Sequence, residues 1–155
     1  MRLTDYTDYS LRVLMYLGMH RDRVVTIQDI ADAYDISKSH LMKIVHQLGL
    51  AGLVETTRGR SGGLRLGKEP AAINIGDVVT LTEPDFKMVE CFDTDANACV
   101  LSPSCQLQSA LAKATKAYLM VLSELTLADI LKGSSSLRKR QIIQFHSREK
   151  EKATA

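Results

Sequence analysis

Hydrophobic positions recur at helical spacing in three successive segments at the start of the chain. Residues 7–19 are crowded with apolar side chains and contain no proline, which predicts a largely buried first helix. Thr26 and Asp29 have the spacing of a capping box and predict the start of a second helix. Ser37 is a favoured N-cap residue and predicts a third helix. The inward-facing residues predicted for the second and third helices are Ile27, Ile30, Ala31, Tyr34, Leu41, Ile44, Val45 and Leu48.

A short hairpin is predicted directly after the third helix. Residues 54–57 and 64–66 resemble strands, and the glycine-rich turn between them carries two arginines. Two helices joined by a short turn form a helix-turn-helix, and a hairpin beside them gives the layout of a winged helix. The sequence therefore predicts a mainly α fold with a small β-hairpin wing.

The second half of the chain contains an irregular acidic stretch between two helical segments. Residues 74–83 predict a short helix that ends at Pro84, and residues 85–103 show no clean period. A long helix follows at residues 104–125, with a seam of apolar positions spaced alternately by four and three. The simplest partner for this seam is a second copy of the chain, so we expect a homodimer. The seam consists of Leu107, Leu111, Ala114, Tyr118, Val121 and Leu125.

The size of the chain limits the number of domains. With 155 residues and 45% hydrophobic content it can bury one core. We expect a winged helix-turn-helix at residues 1–83, a cysteine-bearing loop at 84–103, and a dimerisation helix with a helical cap at 104–132. A mobile basic tail is expected at 133–155.

Charge is distributed unevenly along the chain. Residues 1–68 carry ten basic and seven acidic side chains. Residues 69–132 carry four basic and nine acidic side chains, and residues 133–155 carry six basic and two acidic side chains. Basic terminal segments that flank an acidic middle segment are typical of a protein that binds phosphate with only one part of its surface. No apolar run approaches the roughly 20 residues of a membrane span, and no signal peptide pattern opens the chain. We therefore expect a cytoplasmic protein without membrane contact.

The third helix and the wing carry the candidate DNA-binding residues. The polar face at the start of the third helix is where a recognition helix presents side chains to base edges, although an ordinary solvated face is the alternative. Arginines on a glycine-rich wing suit a narrow minor groove or its phosphates, and a polar residue at a helix start can hold a phosphate. The candidates are Gln28, Ser37, Lys38, Ser39, His40, Lys43, Arg58, Arg60 and Arg65.

Three cysteines, Cys91, Cys99 and Cys105, lie within fifteen residues. An odd number in a reducing compartment argues against a disulfide framework. Thiolates bind iron-sulfur clusters and zinc, but the two-residue spacing usual for structural zinc is absent. Three thiolates leave one coordination position to another group. Inert buried cysteines remain an alternative on spacing alone.

Asp8 and Arg12 are spaced four residues apart at the start of the first predicted helix, and this pair has two interpretations. An acid in the opening turn of a helix is favoured by the helix dipole, and a basic residue four positions later is a natural ion-pair partner. By itself the pattern is compatible with an ordinary surface pair.

An enzymatic function is not favoured by the sequence. The chain has cysteines and His20, His40, His46 and His146, yet it shows neither a Cys-His-acid order nor a phosphate-binding glycine loop. A constitutive or zinc-stabilised DNA-binding protein remains as the other alternative.

Over nearly all of residues 1–131 the chain resembles the family of winged-helix iron-sulfur repressors that includes NsrR and IscR. The resemblance rests on LTDYTDYSLRVLMYL, ISKSHLMKIVHQL, GLVETTRGRSGGLRLGK and INIGDVV, followed by the cysteines and the long helix. It implies a homodimeric repressor that binds a DNA operator and holds an iron-sulfur cluster on Cys91, Cys99 and Cys105. We expect a 4Fe–4S cluster rather than a 2Fe–2S cluster.

The NsrR-like branch of the family implies the signal and the fourth ligand. In such proteins the cluster senses nitric oxide, and an N-terminal aspartate of the other subunit can complete its ligation. Asp8 occupies the matching place, and Arg12 would couple the cluster to the DNA-binding helices. IscR-like members have a ligating histidine three residues after the third cysteine, where this chain has Gln108. Sensing of iron, superoxide or redox state remains an alternative within the same fold.

Overall fold

The computed structural model describes residues 2–59, 62–93 and 95–132. Six helices and a hairpin follow one another in this part of the chain. The helices are α1 (Asp5–Met19), α2 (Ile27–Tyr34), α3 (Lys38–Leu50), α4 (Ile75–Thr82), α5 (Gln106–Ser123) and α6 (Leu127–Lys132), and the strands are β1 (Val54–Thr57) and β2 (Gly63–Leu66). The expected mainly α fold with a hairpin wing is confirmed. The predicted tail at 133–155 and the wing residue Arg60 lie outside the described residues.

Polar caps fix the starts of the first three helices. The side chain of Thr4 caps α1, which begins two residues before the predicted start. Thr26 and Asp29 form the predicted capping box of α2, and Ser37 caps α3 as expected. The turn between α2 and α3 is made by Asp35, whose φ of 54° lies in the left-handed region. These caps place α2 and α3 in a helix-turn-helix arrangement.

The hairpin follows α3 after a tight turn. Gly52 has a φ of +68°, a conformation that glycine adopts without steric cost. The two strands pair antiparallel, with Val54 opposite Leu66 and Thr57 opposite Gly63. A further backbone bridge joins Val25 to Leu64, so β2 also contacts the segment that precedes α2. The wing is therefore anchored to the helical core.

Helix α1 lies at the centre of the core and packs against α3, α4 and α6. The link between α5 and α6 returns to the start of α4: the backbone N–H of Ile75 donates to Leu125 O at 2.9 Å, and that of Leu127 donates to Ile73 O at 2.8 Å. Leu127 is fully buried among residues of the N-terminal helices. Helix α6 thus completes the core of the winged helix.

The long helix α5 packs against α4 but leaves much of its apolar seam exposed. Leu107 is 64% exposed and Val121 is 59% exposed, while Leu111 and Tyr118 are half-buried. No helix in the described ranges combines the length and apolar content that a bilayer crossing requires.

Candidate nucleic-acid interface and metal centre

The N-terminal end of α3 presents a polar face to solvent. The side chain of Ser37 accepts a hydrogen bond from the backbone N–H of His40 and so caps the helix. Lys38, Ser39 and Lys43 are exposed, and the opposite face of α3 is buried in the core. This is the geometry in which a recognition helix reaches base edges in a major groove, and the assignment of these residues to DNA stays a prediction.

His40 differs from its neighbours on this face because it contacts the first helix. Its ring meets the Tyr9 ring edge-on, with the centroids 5.2 Å apart and the planes at 76°. Contacts of this geometry contribute roughly 0.5–1.5 kcal/mol. The contact leaves His40 half-buried and connects the start of α3 to α1.

The wing carries its described arginines at exposed positions. Arg58 lies at the hairpin turn beside Gly59, whose φ of +109° favours glycine. Arg65 is exposed on β2 directly opposite Glu55, so the charge of Arg65 is partly balanced within the hairpin. Within the described part of the wing, Arg58 is therefore the stronger candidate for a phosphate contact.

Gln28 is exposed at the start of α2, but its side chain already has a partner. The amide nitrogen donates a hydrogen bond to a carboxylate oxygen of Asp32, one turn later on the same helix. The amide nitrogen has a second N–H that could reach a phosphate, but the Asp32 carboxylate beside it repels a phosphate. This arrangement makes Gln28 the least supported of the predicted DNA contacts.

Arg12 is the centre of a cluster that joins α1 to α2. Its guanidinium pairs with Asp8 at 2.7 Å and lies 5.7 Å from the centroid of the Tyr9 ring and 5.8 Å from that of Tyr34. Cation–π contacts at such distances contribute about 0.5–1 kcal/mol at exposed sites. Burial raises the pKa of the Tyr34 hydroxyl, and the Arg12 cation opposes this increase. Arg12 therefore links α1 to α2, and both of these helices pack against the predicted recognition helix α3.

The structure brings two of the three cysteines to one groove. Cys91 lies in a single 3-10 turn, Glu90–Phe92, and Cys105 is the N-cap residue of α5. Both are half-buried free thiols that line a groove of about 760 Å³ beside α5. Cys99 is a free and exposed thiol on the loop between them, and it is not part of the groove lining. No group of three or more potential metal ligands is gathered within the described ranges.

The donor chemistry of this groove fits an iron-sulfur cluster. Its two thiols are the ligand type that such clusters use, and the phenyl rings of Phe86 and Phe92 provide an apolar wall beside them. A third thiol, that of Cys99, is on the same exposed loop. Asp8 is on α1 and is not part of the groove lining, and the described contact of its side chain is the Arg12 ion pair.

The loop that carries the cysteines is tied down at several points. The Lys87 ammonium pairs with Asp93 at 2.6 Å, and the hydrogen bond between them raises the pKa of Lys87 and lowers that of Asp93. The side-chain amide nitrogen of Gln108 on α5 donates to the backbone carbonyl of Cys91 at 2.8 Å. The Thr115 hydroxyl, also on α5, lies 2.9 Å from the sulfur of Met88. Two of these contacts fasten the first part of the loop to the long helix.

Glu83, which directly follows α4, holds the start of α1. Its carboxylate accepts hydrogen bonds from the Thr4 backbone N–H at 3.1 Å, from the Thr4 hydroxyl at 3.1 Å and from the Thr7 hydroxyl. Hydrogen bonds to a charged group contribute about 1.5–3 kcal/mol each. The carboxylate joins the helix turn that contains Asp8 to the beginning of the cysteine-bearing loop. Sequence reasoning missed this residue because no local pattern relates positions so far apart.

The structure combines a helix-turn-helix and a wing with an exposed polar face on α3 and an exposed apolar seam on α5. These features together define a winged-helix transcriptional regulator. The family described as "Rrf2: Iron-dependent Transcriptional regulator" matches residues 3–133. The chain belongs to this family of DNA-binding, non-enzymatic regulators.

Two curated relatives and two solved structures support this membership. The chain is 55% identical to the HTH-type transcriptional regulator NsrR of Bacillus licheniformis, over 90% of this chain and 98% of the relative. It is 53% identical to NsrR of Bacillus subtilis, over 90% and 96%. The structure is similar to T. potens IscR, with a TM-score of 0.71, 26% identity, and coverage of 88% and 90%. It is also similar to CymR of B. subtilis, with a TM-score of 0.69, 28% identity, and coverage of 85% and 97%.

Proposed function

We propose that this protein is a cytoplasmic repressor of the NsrR type, whose binding to a DNA operator is switched by an iron-sulfur cluster that reacts with nitric oxide. The observation that carries the proposal is the pair of free thiols, Cys91 and Cys105, on one groove beside α5. The close relatives named NsrR support the same reading.

In the proposed centre the ligands come from two chains. Cys91 and Cys99 on the loop at residues 84–103 and Cys105 at the N-cap of α5 would hold the cluster, and Asp8 of the other subunit would fill the remaining position. A 4Fe–4S cluster is the form that we propose. A bound cluster would supply iron with which nitric oxide reacts, while the protein would supply ligation, partial cover by Phe86 and Phe92, and a connection to the DNA-binding helices.

The cheapest test of the centre is the colour and metal content of protein purified without oxygen. We expect a brown protein that contains iron and sulfide and binds its operator, and loss of operator affinity when a chelator removes the iron. A colourless protein that contains zinc and binds the operator with full affinity would overturn the proposal in favour of a structural metal.

The connection from Asp8 to DNA is proposed to run through Arg12. The Asp8–Arg12 ion pair lies against Tyr9 and Tyr34, and the Tyr9 ring contacts His40 at the start of the recognition helix. If Asp8 were the fourth ligand of the other subunit's cluster, its carboxylate would be shared with the iron or withdrawn from Arg12. A shift of Arg12 changes the support of Tyr9 and hence the position of His40 relative to the operator.

The homodimer is proposed to form through α5. Replacing Leu107 and Val121 together with glutamate should give monomers, because both side chains are mostly exposed in the single chain and contribute apolar area only to a partner. Sedimentation velocity measures the change. Replacement of the exposed Lys113 on the same helix with glutamate serves as the control and should leave the dimer intact. If the double variant remained a dimer, α5 would not form the dimer interface.

The wing is proposed to contribute affinity that does not depend on DNA sequence. Replacing Arg58 and Arg60 with alanine should weaken binding to operator and random DNA alike and reduce the salt dependence of log K by about two units, since each phosphate contact contributes about 0.9. Fluorescence anisotropy over a range of salt concentrations measures the slope. With Lys113→Ala as the control, an unchanged slope in the arginine variant would exclude these wing arginines from DNA contact.

A further inference from the structure

Gln108 lies where the cysteine-bearing loop meets the long helix. It is in the first turn of α5, three residues after Cys105, and its side chain is half-buried. The amide nitrogen donates a hydrogen bond of 2.8 Å to the backbone carbonyl oxygen of Cys91. A carbonyl oxygen can only accept, so the amide must face it with its nitrogen. Gln108 thus bridges the residue that carries one thiol and the helix turn that begins at the other.

This bridge joins the two cysteines of the groove more directly than any other described contact. Cys105 is fixed by its position at the N-cap of α5, whereas Cys91 lies on the loop, in a 3-10 turn of only three residues. The contact between Thr115 and Met88 fastens the loop further along α5, three residues before Cys91. Among the side-chain hydrogen bonds of the described residues, the one from Gln108 acts on the backbone of Cys91 itself.

We propose that Gln108 is a positioning residue that holds Cys91 against α5, so that the Cys91 and Cys105 thiols face the same groove before any cluster binds. Gln108 does so through its amide N–H and not as a ligand. Preorganised ligands bind with a smaller ordering cost, and partners that orient ligands typically change metal affinity by about 10–100-fold. The role of Gln108 in cluster binding rests on the proposed function. The position that Gln108 gives to Cys91 is a property of the cluster-free protein.

The positioning can be measured without any cluster. In a Cys99→Ser background, dibromobimane becomes strongly fluorescent only when it bridges the two remaining thiols, Cys91 and Cys105. We expect Gln108→Ala and the similarly sized Gln108→Glu, which lacks an N–H donor, to slow the bridging step severalfold. The control is Gln106→Ala, which removes another glutamine that lines the same groove but has no described hydrogen bond to Cys91. Monobromobimane labelling of each variant corrects for changes in thiol reactivity, and thermal unfolding verifies the fold.

Bridging in both Gln108 variants at or above the rate of the Gln106→Ala control would overturn the inference. Slower bridging in both variants, with unchanged monobromobimane labelling, would support it.

A second measurement uses the loaded full-length protein with its three cysteines intact. We expect the cluster absorbance of Gln108→Ala to disappear about 10-fold faster than that of Gln106→Ala under an iron chelator. Equal rates of loss would overturn the role of Gln108 in holding the cluster. If the parent protein acquires no cluster at all, the proposed function fails, and the bimane experiment still decides whether Gln108 positions Cys91.

Discussion

Replacing Arg12 with glutamine should leave the cluster in place but remove most of the difference in operator affinity between the loaded and the cluster-free protein. Arg12 pairs with Asp8 at 2.7 Å, and its guanidinium lies against the rings of Tyr9 and Tyr34. Glutamine is neutral, so it holds neither the carboxylate nor the aromatic faces with comparable strength. The path from the cluster ligand to the recognition helix is thereby interrupted.

The size of this effect follows from the usual strength of coupling between sites. Such couplings change affinity by about 5–150-fold, so the ratio of the two operator affinities should fall from this range towards one. The matched control is Arg2→Gln, which breaks the exposed ion pair between Arg2, just before α1, and Asp5 in the first turn of α1. The control should keep the parent ratio. If the Arg12→Gln protein also kept the parent ratio of operator affinities, the coupling between cluster and DNA would not depend on Arg12.

Replacing any one of Cys91, Cys99 and Cys105 with serine should abolish the stable cluster and the high-affinity operator complex together. Thiolates supply the dominant ligation, and serine hydroxyls do not replace them. Asp8→Ala should behave differently, because water or a small thiol can occupy the position that the carboxylate leaves. We expect this variant to retain part of its cluster, with an altered absorption spectrum and faster loss. A cysteine variant with a parent-like cluster would remove that residue from the ligand set.

A mixed dimer tests whether Asp8 acts across the subunit interface. One subunit carries Asp8→Ala, and the other carries serine in place of all three cysteines. The single cluster is then held by the cysteines of the first subunit and meets the intact Asp8 of the second. We expect a parent-like spectrum. The spectrum of the Asp8→Ala homodimer would instead place Asp8 in its own subunit's site and contradict the proposed switch.

Local sequence signals were sufficient for the winged helix. Thr26, Asp29 and Ser37 cap their helices through contacts within three residues, so a short window contains the whole signal. The buried stripe of α3 also follows from its spacing alone. The start of α1 was placed late because Thr4, its cap, precedes the apolar positions on which the prediction relied.

Long-range contacts were beyond such reasoning. Glu83 reaches Thr4 and Thr7, and Gln108 reaches Cys91, through tertiary folding that no periodicity encodes. The contact between Tyr9 and His40 depends on how α1 packs against α3. The three cysteines were identifiable by residue type, but only the fold shows that Cys91 and Cys105 share a groove and that Cys99 is exposed outside it.

If the state of the cluster controls binding to DNA, a nitric oxide titration of a single sample should show cluster loss and operator release together. Anaerobically purified protein is mixed with labelled operator, and the cluster absorbance and the operator anisotropy are recorded together after each addition of nitric oxide. We expect both signals to change over the same range of nitric oxide per cluster, with the operator released as the cluster reacts. Loss of the cluster absorbance with the operator still fully bound would contradict this expectation.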